Sequence, residues 1–235
     1  MIKVVTWNCG GAFRKKFVLL ERAFDPDIMV IQECENPESS TEAYRNWAGN
    51  FIWVGDSKNK GLGVFDRSGC GLKSLDWPSN GLQSFLPCRV GSMLLLAIWT
   101  KEANSPNFRY IGQVWKYLQL DGDRFREERV CLVGDWNSNS RWDEWDRWWN
   151  HSDVVRELER MGIQSVYHDH YSEPQGAESI PTLYHRRDKS KPYHVDFGFT
   201  SLDLKPPQGY DVQVGLAEKW MQYSDHMPVC FRVAS

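Results

Sequence analysis

The chain has 235 residues, 41% of them apolar and 25% charged, and its formal net charge is −3 at pH 7. That length can bury a full hydrophobic core, so we expect a single domain over residues 1–235. The slightly acidic balance excludes a protein that binds nucleic acid through its overall charge. A polyanion would have to be held by a local basic patch or by metal ions.

The sequence has no features of a membrane or secreted protein. No apolar run reaches the roughly 18 residues of a membrane span, and the opening MIKVVTWNCGG lacks the basic and apolar regions of a secretion signal. The six cysteines are scattered without a C-x-x-C pair, which favours reduced core residues over disulfides or a zinc site. We therefore expect a soluble, cytoplasmic protein without a membrane partner, working as a monomer.

The first part of the chain alternates between strand and helix patterns. Residues 2–7 (IKVVTW) and 27–33 (DIMVIQE) are apolar runs typical of buried strands, and residues 13–24 between them have helical spacing. This predicts a strand-helix-strand unit. The runs NFIWVG, GLGVFD and GLKSLDW follow, separated by Gly, Ser and Asn turns, and they favour antiparallel hairpins.

The second part of the chain continues the mixture. SMLLLAIWT predicts a long buried strand, residues 107–120 a helix, and RVCLVG another strand. Residues 140–149 (SRWDEWDRWW) and 153–162 predict helices, and YHVDFGFTS, YDVQVG and MPVCFRVA predict closing strands. Buried strands, hairpins and interspersed helices together indicate a layered α/β sandwich.

Polar residues stand where several of the buried strands end. Asn8 and Glu33 close the first two strands, Asp135 and Asn137 follow RVCLVG, and Asp225 and His226 precede the last strand, with Asp196 inside YHVDFGFTS. Each residue alone is explained by turn or cap chemistry. Together they are the side chains that hold Mg²⁺, a hard cation that prefers oxygen ligands, and that orient and deprotonate a water for attack on a phosphodiester.

The motifs TWNCGG, IQE, GDWN, HVDF and SDHMPV, in that order, resemble the signature of the endonuclease/exonuclease/phosphatase superfamily. That superfamily includes exonuclease III-like DNA-repair nucleases and deoxyribonuclease I, and the resemblance runs from Asn8 to Val229. It implies one catalytic domain with a four-layered α/β sandwich, two packed mixed β-sheets flanked by helices, and a site at one end of the sheets.

The resemblance also implies roles for the polar residues. Glu33 would be the main ligand of Mg²⁺ or Mn²⁺, with Asn8 and Asp225 close enough to join it. Asp135 would orient or deprotonate the attacking water, Asn137 would steady the water or the phosphate, and His226 would contact a phosphate oxygen while Asp196 holds the imidazole. Whether Asp135 or a metal-bound hydroxide is the base, and whether one ion or two bind, stays open.

One position departs from the family pattern. Exonuclease III-like members carry a phosphate-binding tyrosine on the strand before the Asp-x-Asn motif, and other members carry a histidine, whereas LLLAIWTK places Trp99 there. An indole N–H donates one hydrogen bond and cannot transfer a proton. Trp99 is therefore either a substrate contact or core packing, with Thr100 or Lys101 reaching the phosphate instead.

Three further features are candidates for substrate binding. The basic segment YHRRDKSKPYHVD contains Arg186 and Arg187, which are suited to phosphate contacts, and His194, which shares a strand face with Asp196 if the strand begins there. A solvated loop and a structural histidine are the alternatives. In the predicted helix over residues 140–149, Trp142, Trp145 and Trp149 share a core-facing side, while Trp148 lies off it and could stack on a base.

These observations lead to an expected function. We expect a divalent-metal-dependent phosphodiesterase acting on DNA, an exonuclease III-like exonuclease or endonuclease, with abasic sites as one candidate target. The alternatives are a hydrolase of the same superfamily acting on RNA, a phosphoinositide or a small phosphate ester, and a non-catalytic nucleic-acid-binding member.

Overall fold

A pair of β-sheets packed face to face forms the framework of the computed structural model, which describes residues 1–102 and 107–235. The strands in these ranges are β1 (Ile2–Asn8), β2 (Ile28–Cys34), β3 (Asn50–Ser57), β4 (Lys60–Asp66), β5 (Leu72–Ser74), β6 (Phe85–Val90), β7 (Met93–Trp99), β8 (Val130–Asp135), β9 (Ile163–Ser165), β10 (Leu183–Tyr184), β11 (Pro192–Tyr193), β12 (Asp196–Ser201), β13 (Val212–Val214) and β14 (Val229–Val233). The α-helices are α1 (Phe17–Phe24), α2 (Glu42–Ala48), α3 (Ile111–Asp121), α4 (His151–Arg160), α5 (Val166–Tyr171) and α6 (Ala217–Trp220).

Both sheets are mixed and contain one parallel pair each. The first sheet has the order β13-β14-β1-β2-β4-β3, and the second has the order β5-β6-β7-β8-β12-β9. β1 pairs with β2 in parallel, joined through α1 as the predicted strand-helix-strand unit, and β7 pairs with β8 in parallel. Because parallel neighbours end at the same edge, each sheet brings two carboxyl-terminal strand ends together.

The alternation of side chains along β7 separates the layers. Leu95 and Ala97 point into the core between the sheets, whereas Leu94, Leu96 and Ile98 pack with the apolar faces of α3 and α4. Apolar residues of α1 and α2 pack against the first sheet. The predicted α/β sandwich of two mixed sheets flanked by helices is confirmed. The longest helix in the described ranges, α3, has 11 residues, and none there could cross a membrane.

The prediction of a helix over residues 140–149 is wrong. Only a 3-10 turn over Ser140–Trp142 forms there, followed by irregular backbone up to α4. Asn139 caps that turn by accepting a hydrogen bond from the N–H of Arg141, and the Asp143 carboxylate accepts from the N–H groups of His151 and Ser152. Short polar side chains that bond to nearby backbone compete with a helix in this way.

Gly134, next to the last residue of β8, allows the two parallel strands to approach closely before the site. Its φ is +149°, and a Cβ atom there would lie 1.8 Å from the carbonyl oxygen of Ile98 on β7. This overlap involves backbone, so it cannot be relieved by rotating a side chain.

We predict that Gly134→Ala lowers the free energy of unfolding by more than about 4 kcal/mol, or prevents folding, because the strands must separate. Gly71→Ala is the matched control: Gly71 has φ +86° with no atom within 4 Å of the new Cβ. The control should lose only the about 1–2 kcal/mol of left-handed backbone strain. Urea denaturation followed by circular dichroism measures both, and equal losses would contradict the close-approach interpretation.

Candidate active site

The two sheets meet at a hydrogen bond between the ends of β1 and β8. Asn8 Nδ2 donates to Asp135 Oδ2 over 2.9 Å, and the same nitrogen lies 3.4 Å from Glu33 Oε1 at the end of β2. Three of the strand-end residues predicted from the sequence are therefore neighbours. The cause is the packing of β1 against β8, which superimposes the carboxyl ends of the two parallel strand pairs.

Glu33 reaches this place through a β-bulge. Gln32 pairs with Leu62 and Cys34 pairs with Gly61, so Glu33 is an extra residue without a partner on β4. Its φ of +61° is unusual for a residue other than glycine. A bulge turns a side chain out of the regular alternation, and the Glu33 carboxylate is left partly exposed in an otherwise buried strand, with 23% side-chain exposure.

Asp135 is fully buried and accepts several hydrogen bonds. The backbone N–H of Asn137 donates to its Oδ1, and the Asn137 and Asn8 amides donate to its Oδ2, each over 2.9 Å. Asn137 can fold back in this way because it adopts φ +44°, a conformation that asparagine tolerates. The pKa of Asp135 is raised to about 7, chiefly by burial. The charge of His226 lowers this pKa, and the nearby Asp196 carboxylate raises it further.

Asp196 and His226 complete a charged group around Asp135. Asp196 lies directly opposite Asp135 in the antiparallel pairing of β12 with β8. His226 Nδ1 is 2.9 Å from Asp196 Oδ2, and its Nε2 is 3.9 Å from Asp135 Oδ2. Burial alone would lower the pKa of His226, but the carboxylates of Asp196 and Asp135 outweigh it and raise that pKa to about 10.

Backbone contacts fix the loop that carries Asp225 and His226. The Ser224 hydroxyl donates to the carbonyl oxygen of Asn8 over 2.7 Å and accepts from the N–H of His226. The N–H of Tyr184 on the β10–β11 hairpin donates to the carbonyl oxygen of Asp225 over 2.8 Å. The half-buried Asp225 is therefore held between the end of β1 and the hairpin.

Lys16 connects the same loop to the backbone that follows β1. Its ammonium group donates to the carbonyl oxygens of Cys9, Gly11 and Tyr223 at 2.6–2.8 Å. Burial lowers the pKa of Lys16. All three donor positions of the ammonium group are therefore used inside the protein.

Trp99 ends β7 directly beside Asp135 and is buried, with 5% exposure. The ammonium groups of Lys60 and Lys101 lie over its ring, 5.6 Å and 4.6 Å from the centroid. Lys60 Nζ is also 3.1 Å from Glu33 Oε2. Sequence reasoning missed Lys60, because its hairpin position next to Glu33 depends on the bulge.

A hollow of about 400 Å³ lies above Trp99, and we call it the lysine hollow. Its lining includes Glu33, Lys60, Trp99, Lys101, Tyr110 and Asn137. It therefore joins two ammonium groups to the partly exposed carboxylate and to the loop after β8. Tyr110, the N-cap residue just before α3, has φ +49° and is a second residue that the sequence did not single out.

The remaining predicted substrate residues lie in different environments. Arg186 and Arg187 are exposed on the loop between β10 and β11, both with positive φ, and neither has an ion-pair partner in the described part of the chain. His194 is 3% exposed: Nδ1 bonds to the Ile180 carbonyl oxygen over 2.8 Å, and the ring packs on Tyr167. His194 precedes β12 instead of lying within it. Because its side chain is buried in the core, it is not accessible to a substrate.

Trp148 is exposed, as predicted for a residue off the core-facing side, but for a different reason. The helix that would have buried Trp142 and Trp145 is absent, so these two indoles are exposed as well, at 41% and 97% beside 81% for Trp148. Trp149 is partly buried against Phe108. The predicted core packing of Trp142 and Trp145 is therefore wrong.

The donor chemistry of the site suits a hard divalent cation. Glu33, Asn8 and Asp225 offer carboxylate and amide oxygens, the ligands that Mg²⁺ and Mn²⁺ prefer. Asp135, Asp196 and His226 also bring ligand atoms within 4.8 Å of one another. In that trio both imidazole nitrogens face carboxylate oxygens, one in a hydrogen bond and one in an ion pair. These contacts account for the closeness of the trio, and the partly exposed Glu33 is the better place for an ion.

Comparison with known proteins identifies the fold. Solved structures similar over the full length of both chains include the Neisseria 3′ phosphatase NExo bound to a product DNA hairpin (18% identity, TM-score 0.72) and the Neisseria meningitidis 3′–5′ exonuclease NExo (19%, 0.69). An AP endonuclease from Archaeoglobus fulgidus is similar to the same extent (17%, 0.72). The chain has the endonuclease/exonuclease/phosphatase fold. No protein-family model and no curated protein sequence matches it.

We predict that His226 is a charged imidazolium at neutral pH in protein freed of divalent metal. Because its pKa is raised from 6.5 to about 10, the stabilisation by its charged form is complete below about pH 6.5 and is lost as the pH rises through about 10. Nitrogen-15 NMR of the imidazoles, with the signal assigned through His226→Gln, measures this state. Buried His151, with a pKa lowered to about 4, is the neutral reference in the same spectrum.

Asp196→Asn should lower the pKa of His226 by about one unit or more, because the nearest carboxylate is removed. A neutral His226 at about pH 8 in the unsubstituted protein would contradict this description of the site.

Proposed function

We propose that this chain is a divalent-metal-dependent phosphodiester hydrolase acting on DNA, an exonuclease III-like nuclease. The observation that carries the proposal is the buried Asp135 carboxylate, which contacts the ends of both sheets and faces His226 on one side and Asn137 on the other. Such a group holds a water and a phosphate in fixed geometry without a covalent intermediate. The single catalytic domain over residues 1–235 stays part of this proposal.

Glu33, Asn8 and Asp225 would hold the cation, Mg²⁺ or Mn²⁺. When bound, it would offset the negative charge that builds on the phosphoryl oxygens. Lys60, now paired with Glu33 at 3.1 Å, would move its ammonium group towards the phosphate when the carboxylate binds the ion. Lys101, on the same indole, would lie on the other side of the lysine hollow.

Asp135 would accept the proton of the attacking water, while the Asn137 amide orients that water. The water oxygen forms a bond to phosphorus as the bond to the leaving oxygen breaks, and the leaving oxygen then takes up a proton from solvent. His226, held by Asp196, would donate a hydrogen bond to a non-bridging oxygen, where negative charge grows in the transition state. Trp99 would support the two lysines in place of a phosphate-binding tyrosine or histidine.

The choice of DNA rests on two further features. The structural neighbours are described as a 3′ phosphatase bound to a DNA hairpin, a 3′–5′ exonuclease and an AP endonuclease. Arg186 and Arg187 are exposed on the hairpin that holds Asp225 and have no ion-pair partner within residues 1–102 and 107–235, so they could contact the phosphates of a strand leaving the site.

We expect metal-dependent cleavage of DNA. End-labelled duplex, single-stranded, 3′-phosphorylated and abasic-site DNA, incubated with Mg²⁺ or Mn²⁺ and resolved on a gel, reveal activity and its mode. Excess chelator should abolish cleavage and added metal should restore it. Full activity in chelator would contradict the proposed dependence on a metal ion. Turnover of RNA or a small phosphate ester, without cleavage of any DNA, would contradict the proposal that DNA is the substrate.

Asp135→Asn should lower kcat by about 10²-fold or more under the same conditions, because the amide cannot accept the proton. Asp203→Asn is the matched control, since Asp203 is an exposed carboxylate after β12, at the end of that strand away from the site. Near-normal turnover by Asp135→Asn, with both variants folded, would sink the base assignment.

A further inference from the structure

A second hollow, with a volume of about 570 Å³, opens beside the lysine hollow, and we call it the aromatic hollow. Its lining includes Arg109, Tyr110, Asn137, Trp142, Arg147 and Trp149. Tyr110 and Asn137 line both hollows. The aromatic hollow is therefore adjacent to the candidate active site, and Tyr110 and Asn137 lie between the two hollows.

The tryptophan-bearing segment over residues 139–150 is held in place by many hydrogen bonds. The Asp143 carboxylate accepts from the N–H groups of His151 and Ser152, at the start of α4. The Asn150 side chain accepts from the N–H of Glu144 and donates to its carbonyl oxygen, over 2.9 Å and 2.8 Å. Residues 139–150 therefore form an irregular segment stabilised by local hydrogen bonds, which we call the platform.

This platform presents large aromatic faces to solvent. Trp145 is 97% exposed and Trp148 is 81% exposed, and neither makes a ring contact among the described residues. Trp142, which lines the aromatic hollow, is 41% exposed and leans on Tyr193. Three exposed indoles on one braced segment form an unusual apolar surface for a protein in water, and such surfaces mark interaction sites.

The charges of the aromatic hollow favour stacking over ionic attraction. Arg109 is paired with Glu102 at 2.7 Å, and Arg147 is paired with Glu144 at 3.2 Å. The hollow is therefore not a strongly basic groove, and its affinity for a nucleic acid would come from its aromatic rings. Both faces of a base inside a duplex are covered by its neighbours and a terminal base pair exposes only one face, whereas an unpaired base can enter the hollow and offer both faces to these rings.

Building on the proposed function, we propose that the aromatic hollow binds an unpaired nucleotide next to the scissile phosphate, and that the exposed Trp145 and Trp148 of the same segment extend this contact along the strand. The substrate is then a single strand, an overhang or a frayed end, and a fully paired blunt duplex is the poorer substrate. Tyr110 separates the base in the aromatic hollow from the phosphate in the lysine hollow.

Fluorescence anisotropy with a fluorescein-labelled ten-residue oligothymidylate, in chelator and on the Asp135→Asn background, tests binding without hydrolysis. We expect Trp142→Leu, and separately the double variant Trp145→Leu with Trp148→Leu, to weaken binding by about 10-fold or more, as loss of a stacked base does. The matching Trp→Phe variants keep a ring and should recover most of the affinity. Leu202→Ala, at an exposed apolar residue after β12, is the neutral control.

The same Leu variants, made with Asp135 intact, should lose activity on single-stranded and overhanging DNA by a larger factor than on a blunt duplex. Unchanged binding and cleavage of single strands would overturn this inference and leave the proposed function in place. Tryptophan-dependent binding without hydrolysis of any nucleic acid would support this inference and overturn the proposed function. Self-association lost in the Leu variants, without any effect on the oligonucleotide, would make the surface a protein interface and also overturn the inference.

Discussion

The hydrogen bond between Asn8 and Asp135 joins the two sheets at the place on which the rest of the site depends. The Asp135 carboxylate is fully buried, so it must accept hydrogen bonds from the protein, and the donors come from the end of β1 and the loop after β8. The requirement fixes the sheets relative to each other. It also brings the partly exposed Glu33 within 3.4 Å of Asn8.

The residues around Asp135 are positioned by strand pairing. The residues proposed to bind the cation and the phosphate are positioned by irregular backbone. Asp196 lies opposite Asp135 because β12 and β8 are antiparallel neighbours. Glu33, Asn137 and Tyr110, by contrast, all have positive φ. Backbone strain of this kind persists only where surrounding contacts hold it, and these three residues are among the groups that line the proposed ion and substrate sites.

The sequence predicted the regular part of this arrangement well. The apolar runs ending at Asn8, Glu33 and Asp135 identified the strands because buried strands have a clear apolar signature, and the ordered motifs identified the fold. It could not predict the bulge at Glu33 or the approach of Lys60, since both depend on pairing with β4.

The helix error has a clear physical origin. The spacing of Trp142, Trp145 and Trp149 fits a helix, but local bonds from Asp143 and Asn150 to nearby backbone favour irregular structure. Helical periodicity does not include these competing polar contacts, which only the folded chain reveals. For His194, β12 begins two residues later, at Asp196, and the buried ring fits the structural alternative.

The most direct test of the site is anomalous diffraction from crystals soaked with Mn²⁺ and a nucleoside 5′-monophosphate. We expect a manganese peak bonded to the Glu33 carboxylate, with the phosphate between His226 and the lysine hollow. A manganese ion bound instead by Asp135, Asp196 and His226, or no ion at Glu33 at saturating Mn²⁺, would contradict the division of this site into a metal-binding side and a hydrogen-bonded proton-transfer side.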